Sequence, residues 1–139
     1  MEAVIIKGGQ FFDARGTLTY NNDFDASVVK RIYTIQNSDL NFIRGWQGHK
    51  IEQRWFSAMQ GTFHIKLIKV DDWDNPSKSL EPYSFFLDAK ELDILHVPSG
   101  YISSIQAISE NSKLLVMADY LVGEVKDEFR FDKDYFQKD

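Results

Sequence analysis

The sequence predicts an all-β domain: a sandwich, a jelly roll or a closed barrel. Three observations lead there. Short apolar runs rich in β-branched and aromatic residues recur along the chain, separated by turn residues. Around Thr62 the alternation is clean, with Phe63, Ile65 and Leu67 on one face and Thr62, His64 and Lys66 on the other. No segment of helical length carries sustained i, i+3, i+4, i+7 apolar spacing. Many short strands at close spacing with few helices close on themselves or pack face to face.

Taken in order, the strands are expected as follows. The apolar run at Val4 to Lys7 opens the series, and Gly16 to Tyr20 follows a short loop. Val28 to Gln36 and Gln53 to Met59 combine β-branched and aromatic residues. Thr62 to Val70 has the period-2 pattern already noted, and Tyr83 to Leu87 follows a turn-rich stretch, Asp72 to Lys78 (DWDNPSK). Ile94 to Val97 ends at a second turn, Pro98 to Gly100, beyond which come Ile102 to Ile108 and Lys113 to Ala118. Repeats, low-complexity tracts and linker-like segments are missing, so residues 1–139 make one domain.

Composition narrows the function. With 43% hydrophobic and 14% aromatic residues, the chain fills a core without disulfides, and it has no cysteine to form one or to build a Cys-type zinc site. The lack of cysteine fits a reducing cytoplasm. The opening MEAVIIKGGQFFD is not a signal peptide, and no apolar stretch reaches the roughly 18 residues of a membrane span. A net charge of −5 argues against non-specific nucleic-acid binding. An anionic ligand would therefore need its cations concentrated locally.

They are densest from Arg44 to Arg54, RGWQGHKIEQR, where Arg44, His49, Lys50, Glu52, Gln53 and Arg54 surround Gly45 and Gly48. A His that exchanges protons near neutrality, beside fixed cations, suits proton abstraction next to a carbonyl. The cations would stabilise the enolate oxygen that develops. The alternative is a solvated charged loop with a surface His. His64, on the polar face of its strand, and His96, within ILHVP, read as hydrogen-bonded structural residues. Trp46, Trp55 and Trp73 read as core or rim. In FDARG, Arg15 closes a short loop from which a guanidinium can hold a phosphate bidentately, and the alternative is an ordinary surface Arg.

Five segments run in order through nearly the whole chain: FxDxRG, VKRxYxI, RGxxxHKxEQ, LxVPxGY and ADYxxGExxDE. Together they resemble the sugar-nucleotide-modifying cupins. The two ends look like the dTDP-4-dehydrorhamnose 3,5-epimerase family. The middle is closer to the dTDP-4-keto-6-deoxyhexose 3,4-ketoisomerases, the WxcM-like group. The resemblance implies a homodimeric cupin-type jelly-roll barrel (double-stranded β-helix), a nucleoside-diphosphate sugar ligand, with dTDP as the expected nucleotide, and neither metal nor cofactor. It implies a cytoplasmic isomerase or epimerase of surface-polysaccharide sugar synthesis, with no nucleic-acid or membrane partner.

Carried over residue by residue, the resemblance makes His49 the catalytic base and Arg15 the contact to the nucleotide diphosphate. Arg44 falls on the Arg of the family RG motif, Arg54 replaces an active-site Lys, and Gln47, Lys50 and Tyr101 complete the expected substrate contacts. Three positions depart: Gln47 stands where both families have His, their later His falls near Ser103, and the epimerases' Tyr falls near Leu115. A ketoisomerase with one principal base survives these losses better than a 3,5-epimerase. The competing expectation is a binding or partner cupin that has lost the chemistry. For the metal-binding cupins' constellation only His49 and Glu52 remain, since Pro98 to Gln106 holds no His, and two ligands rarely hold a transition metal.

Overall fold

The computed structural model describes residues 1–136, and among these every regular element is a strand. In chain order they are β1 (Val4–Ile6), β2 (Gly9–Asp13), β3 (Gly16–Tyr20), β4 (Arg31–Ile35), β5 (Arg44–His49) and β6 (Arg54–Gln60). Then come β7 (Thr62–Lys69), β8 (Tyr83–Asp88), β9 (Ile94–Val97), β10 (Tyr101–Ala107), β11 (Lys113–Ala118) and β12 (Glu128–Arg130). One five-stranded antiparallel sheet has the order β1-β9-β6-β11-β4 and the other β12-β5-β10-β7-β8, while β2 and β3 pair only with each other. From β4 to β12 every connection except β7 to β8 crosses from one sheet to the other, which is the winding of a jelly roll. The two sheets face each other as separate ladders rather than closing into one continuous barrel. No helix of the described residues is long and apolar enough to cross a membrane.

Alternation places the core. On β7, Phe63, Ile65 and Leu67 are fully buried, beside Leu87 of the neighbouring β8 and packed with Leu95, Leu114 and Val116 of the other sheet. The outer faces are covered as well. Trp55, Ile94 and Met117 sit under Phe24 and Val29, while Trp46, Ile68 and Ile102 lie under the C-terminal Phe136 with Phe131 and Tyr135 beside it.

Strand β4 starts at Arg31, three residues later than the apolar run predicts. Val28 and Val29 have the right composition, but the chain turns there, with Val29 N bonding Ala26 O at 3.0 Å, and Val29 covers Trp55. Strands β2, β5 and β12 had no sequence signal. Strand β5, RGWQGH, carries two glycines and little apolar alternation, and tertiary pairing with β10 and β12 makes it a strand.

Close approach explains one of those glycines. Gly48 pairs with Ile102, and a Cβ there would meet the Tyr101 carbonyl oxygen and lie 2.5 Å from Ile102 Cα. Gly48→Ala must push β5 off β10 and is expected to cost about 1–3 kcal/mol, the usual scale of overpacking. Urea denaturation would measure it, and an unchanged midpoint would contradict this packing.

Candidate functional site

The crossing from β5 to β6 builds the site. His49 is the last residue of β5 in one sheet and Arg54 the first of β6 in the other, so a four-residue turn brings them face to face. That turn has three consecutive backbone N–H groups outside the ladders. Asp127 Oδ2 accepts from Ile51 N at 2.7 Å and Glu52 N at 2.8 Å, and Asp119 Oδ1 accepts from Gln53 N at 2.8 Å. Buried amides need such partners. Both aspartates come from the segment after β11, so the C-terminal part of the chain shapes the turn.

His49 is 8% exposed. The surface-loop alternative is therefore excluded. Its Nδ1 lies 3.1 Å from Asp127 Oδ1 and 3.2 Å from Glu52 Oε2. On the opposite ring nitrogen, Nε2, sits the Arg54 guanidinium through Nη2. Arg54 also holds Glu52 Oε2, at 2.7 Å from Nη2 and 3.2 Å from Nε, and its Nη1 reaches the Tyr33 hydroxyl. Because a guanidinium only donates, Nε2 is the accepting nitrogen and Nδ1 carries the proton, directed at the carboxylates. Burial works to raise the Asp127 pKa, but the Glu52 N–H, the His49 ring and the Ile51 N–H outweigh it and hold the carboxyl below its ordinary value. With the ring neutral, Arg54, Glu52 and Asp127 carry one net negative charge, and a proton on His49 brings the group to neutrality.

This cluster faces a cavity of about 340 Å³ between the sheets, lined by Tyr33, Arg44, Gln47, Arg54, Tyr101 and Ser103 among others. A second, of about 530 Å³, lies beyond Tyr33, Gln47 and Arg54, against Arg31, Lys126 and Glu128. A buried imidazole with an oriented Nδ1, facing a cleft with a cation beside it, can take a proton from carbon and stabilise the resulting enolate. His49, Glu52 and Asp127 also offer donor atoms within 4.8 Å of one another, a grouping able to hold a metal ion. In this structure Asp127 holds the His49 ring and two turn amides, and the guanidinium 2.7 Å from Glu52 Oε2 opposes a second cation.

The other expected residues fall in different places. Gln47 lines both cavities, and its amide donates to Glu128 Oε1. Tyr101 is buried in the cavity wall, where burial, resisted by a bond from the Ala3 backbone, raises its pKa. Lys50, one residue past His49, is exposed and lines neither cavity. Arg15 sits in the β2–β3 turn, exposed, in an ion pair with Asp13 at 2.7 Å, and lines neither cavity. Leu115 packs with Trp55 and Met117 on the outer face, so its position does not reach the interior. His64 bonds Ser84 Oγ at 3.1 Å and His96 bonds Gln53 Oε1 at 2.7 Å, both off the cavity, and burial lowers both pKa values. The three tryptophans all belong to packed clusters.

Residues 1–138 match the family model described as WxcM-like, C-terminal. The chain belongs to that family. No curated protein matches it in sequence. Among solved structures, this WxcM-like domain is similar to a mutant of the 3,4-ketoisomerase QdtA from Thermoanaerobacterium thermosaccharolyticum in complex with TDP-4-keto-6-deoxyglucose. That match has 22% identity and a TM-score of 0.71 over 96% of this chain and 91% of the other. A 3,4-ketoisomerase from Helicobacter canadensis matches with 22% identity and a TM-score of 0.72, over 99% and 96%. The rmlC epimerase of Mycobacterium tuberculosis matches with 15% identity and a TM-score of 0.74, over 99% and 73%. At these identities the likeness concerns the fold, a cupin-like jelly roll.

Two residues of the site went unassigned in the sequence, Tyr33 and Asp127, while Glu52, the nearest carboxylate to His49 in the sequence, does reach its ring. Tyr33 stands within VKRxYxI and Asp127 within ADYxxGExxDE, so the motifs held them without indicating what they touch. Asp127→Ala would leave two amides without their acceptor and the His49 ring with Glu52 alone, at a cost of roughly 1–3 kcal/mol at pH 7. Because the folded pKa is depressed, that stabilisation is present above the unfolded value of about 3.8 and is lost as pH falls through the lower folded value. Denaturation from pH 7 down to 3 should show the gap between wild type and variant closing only at the acid end.

Proposed function

We propose that this domain is a sugar-nucleotide isomerase of the 3,4-ketoisomerase type, acting on a TDP-linked 4-keto-6-deoxyhexose in surface-polysaccharide sugar synthesis. The observation that carries the reading is the His49 ring, anchored through Nδ1 to Asp127 and facing the cleft between the sheets beside Arg54. Membership of the WxcM-like family supports it, as do the similar folds named TDP-quinovose and TDP-fucose 3,4-ketoisomerases from Campylobacter jejuni.

In this reading His49 Nε2 takes the proton from C3, and the C–H electron pair becomes the double bond of an enediolate. Arg54, with Arg44 at the cavity wall, balances the oxygen's charge. The proton returns at C4, and a hydroxyl proton passes from the C3 oxygen to the C4 oxygen, leaving the ketone at C3. Tyr33, whose hydroxyl lies on the Arg54 guanidinium, is placed for that second transfer. Gln47 and Tyr101 contact the sugar, while Lys50 and Arg15 serve the nucleotide outside the cavity. The enzyme works without a metal or cofactor, in the cytoplasm.

The test is exchange of substrate C–H protons in deuterated water. TDP-4-keto-6-deoxyglucose should exchange with the wild type, and His49→Asn should retain binding while exchange falls by about 10² or more. Binding without exchange in the wild type would favour a binding protein that has lost the chemistry.

A homodimer completes the proposal. The β2–β3 hairpin pairs with neither sheet, and Phe11, Phe12 and Leu18 on it are 56%, 71% and 60% exposed. A lone hairpin of this kind is marginal in water, and a second copy would cover it. Arg15 at its turn would then meet the nucleotide held by the other copy. Sedimentation should give a dimer at micromolar concentration. Arg15→Ala should weaken TDP binding by roughly 1.5–3 kcal/mol, the scale of a charge-assisted bond. A monomer that loses nothing on this substitution would refute both points.

A further inference from the structure

Arg54 presents a conflict within the proposed mechanism. A base needs a free lone pair, yet the only nitrogen of His49 able to accept a proton is the one the guanidinium occupies. Nδ1 is committed to Asp127 and Glu52, at 3.1 and 3.2 Å. Arg54 never loses its charge, so it cannot vacate Nε2 by titrating. It can do so only by moving.

The remaining contacts show how. The Arg54 fork holds Glu52 Oε2 through Nε as well as Nη2, and the guanidinium lies over the Tyr33 ring, 5.6 Å from its centroid. The Nε bond to Glu52 can persist while the far end of the fork swings, with the ring as a bearing surface. Arg54 also stands in the partition between the two cavities and lines both, so space exists on either side of it.

We infer that Arg54 is a substrate-displaced cap on His49: the guanidinium covers Nε2 until a sugar carbonyl in the cavity offers it a better acceptor, and its departure uncovers the base. This rests on His49 being the base of the proposed isomerase. The carbonyl oxygen that draws the guanidinium away is the one that becomes the enolate oxygen. One residue thereby keeps the base covered and then supplies the counter-charge. The C–H proton goes to Nε2, the electron pair to the enolate, and the negative charge to the oxygen now facing Arg54. TDP, which has no sugar ketone to place in the cavity, has nothing there to draw the cap away.

Diethyl pyrocarbonate, which acylates an unprotonated imidazole nitrogen, tests the cap on the full chain. Site-by-site rates at His49, His64 and His96 would be read by peptide mass spectrometry. Arg54→Gln should acylate His49 on the order of tenfold faster than wild type, the scale of one charge-assisted hydrogen bond. His64 and His96 should be unchanged, and substrate deuterium exchange should be slower. Opposite movement of the two rates is what a purely structural role would not produce. Arg54→Lys keeps a charge on Glu52 without the fork, so it should also acylate faster at His49 while recovering part of the exchange lost in Arg54→Gln. The exchange defect should appear in kcat rather than in KM alone.

Equal His49 rates in all three proteins, or a rise shared by all three histidines, would overturn the cap. A defect confined to KM would overturn the move onto the enolate oxygen. Undiminished exchange in His49→Asn would instead remove the base assignment, and the acylation ratio would still report whether Arg54 covers Nε2.

Discussion

Three amide hydrogens govern this molecule's chemistry. The N–H groups of Ile51, Glu52 and Gln53 lie where the chain leaves one sheet for the other, outside any ladder, and carboxylates of Asp127 and Asp119 receive them. An unmet buried amide costs on the order of 1–3 kcal/mol, so the turn takes its shape only when the later loop has docked. That shape sets the apposition of His49 and Arg54. The same Asp127 that closes the turn also orients the imidazole, so one carboxylate serves backbone and side chain together. Folding of the turn and orientation of the His49 ring are a single event.

Burial on both faces of the sheets gives this arrangement its stiffness. The side of β5 turned away from the cavity carries Trp46, pressed against Phe136 with ring centroids 5.5 Å apart. On the other sheet Trp55 stacks on His96 at 5.1 Å, and His96 is bonded in turn to Gln53 in the turn that follows His49. The two histidines off the cavity thus act as polar packing, and their lowered pKa values follow from burial.

The fold was legible where side chains alternate in hydrophobicity. Strand β7 announces itself because Phe63, Ile65 and Leu67 must all face inward. Strand β5 has no such signature, since Gly48 is dictated by how closely β10 approaches and Gln47 and His49 by the cavity. Val28 and Val29 erred in the opposite direction: β-propensity without a partner strand gives a turn. For the site, a dense run of cations marked His49, Arg44 and Arg54 at once. Parity then separates His49 from Lys50, which points to solvent. Asp127 lies 78 positions from His49, beyond any local pattern, and only the docking of β12 beside β5 brings it near.

The alternation along β5 has a consequence for how this chain can change over generations. Gln47 and His49 look inward because Trp46 and Gly48 look outward, opposite Ile102. Loss or gain of a single codon between them would exchange the two sets. An indole would enter the cavity and the imidazole would land on the hydrophobic outer layer. Point changes at Lys50 touch nothing buried, but an indel anywhere from Trp46 to His49 disables core and site in one step. Length is the property of this strand least free to drift.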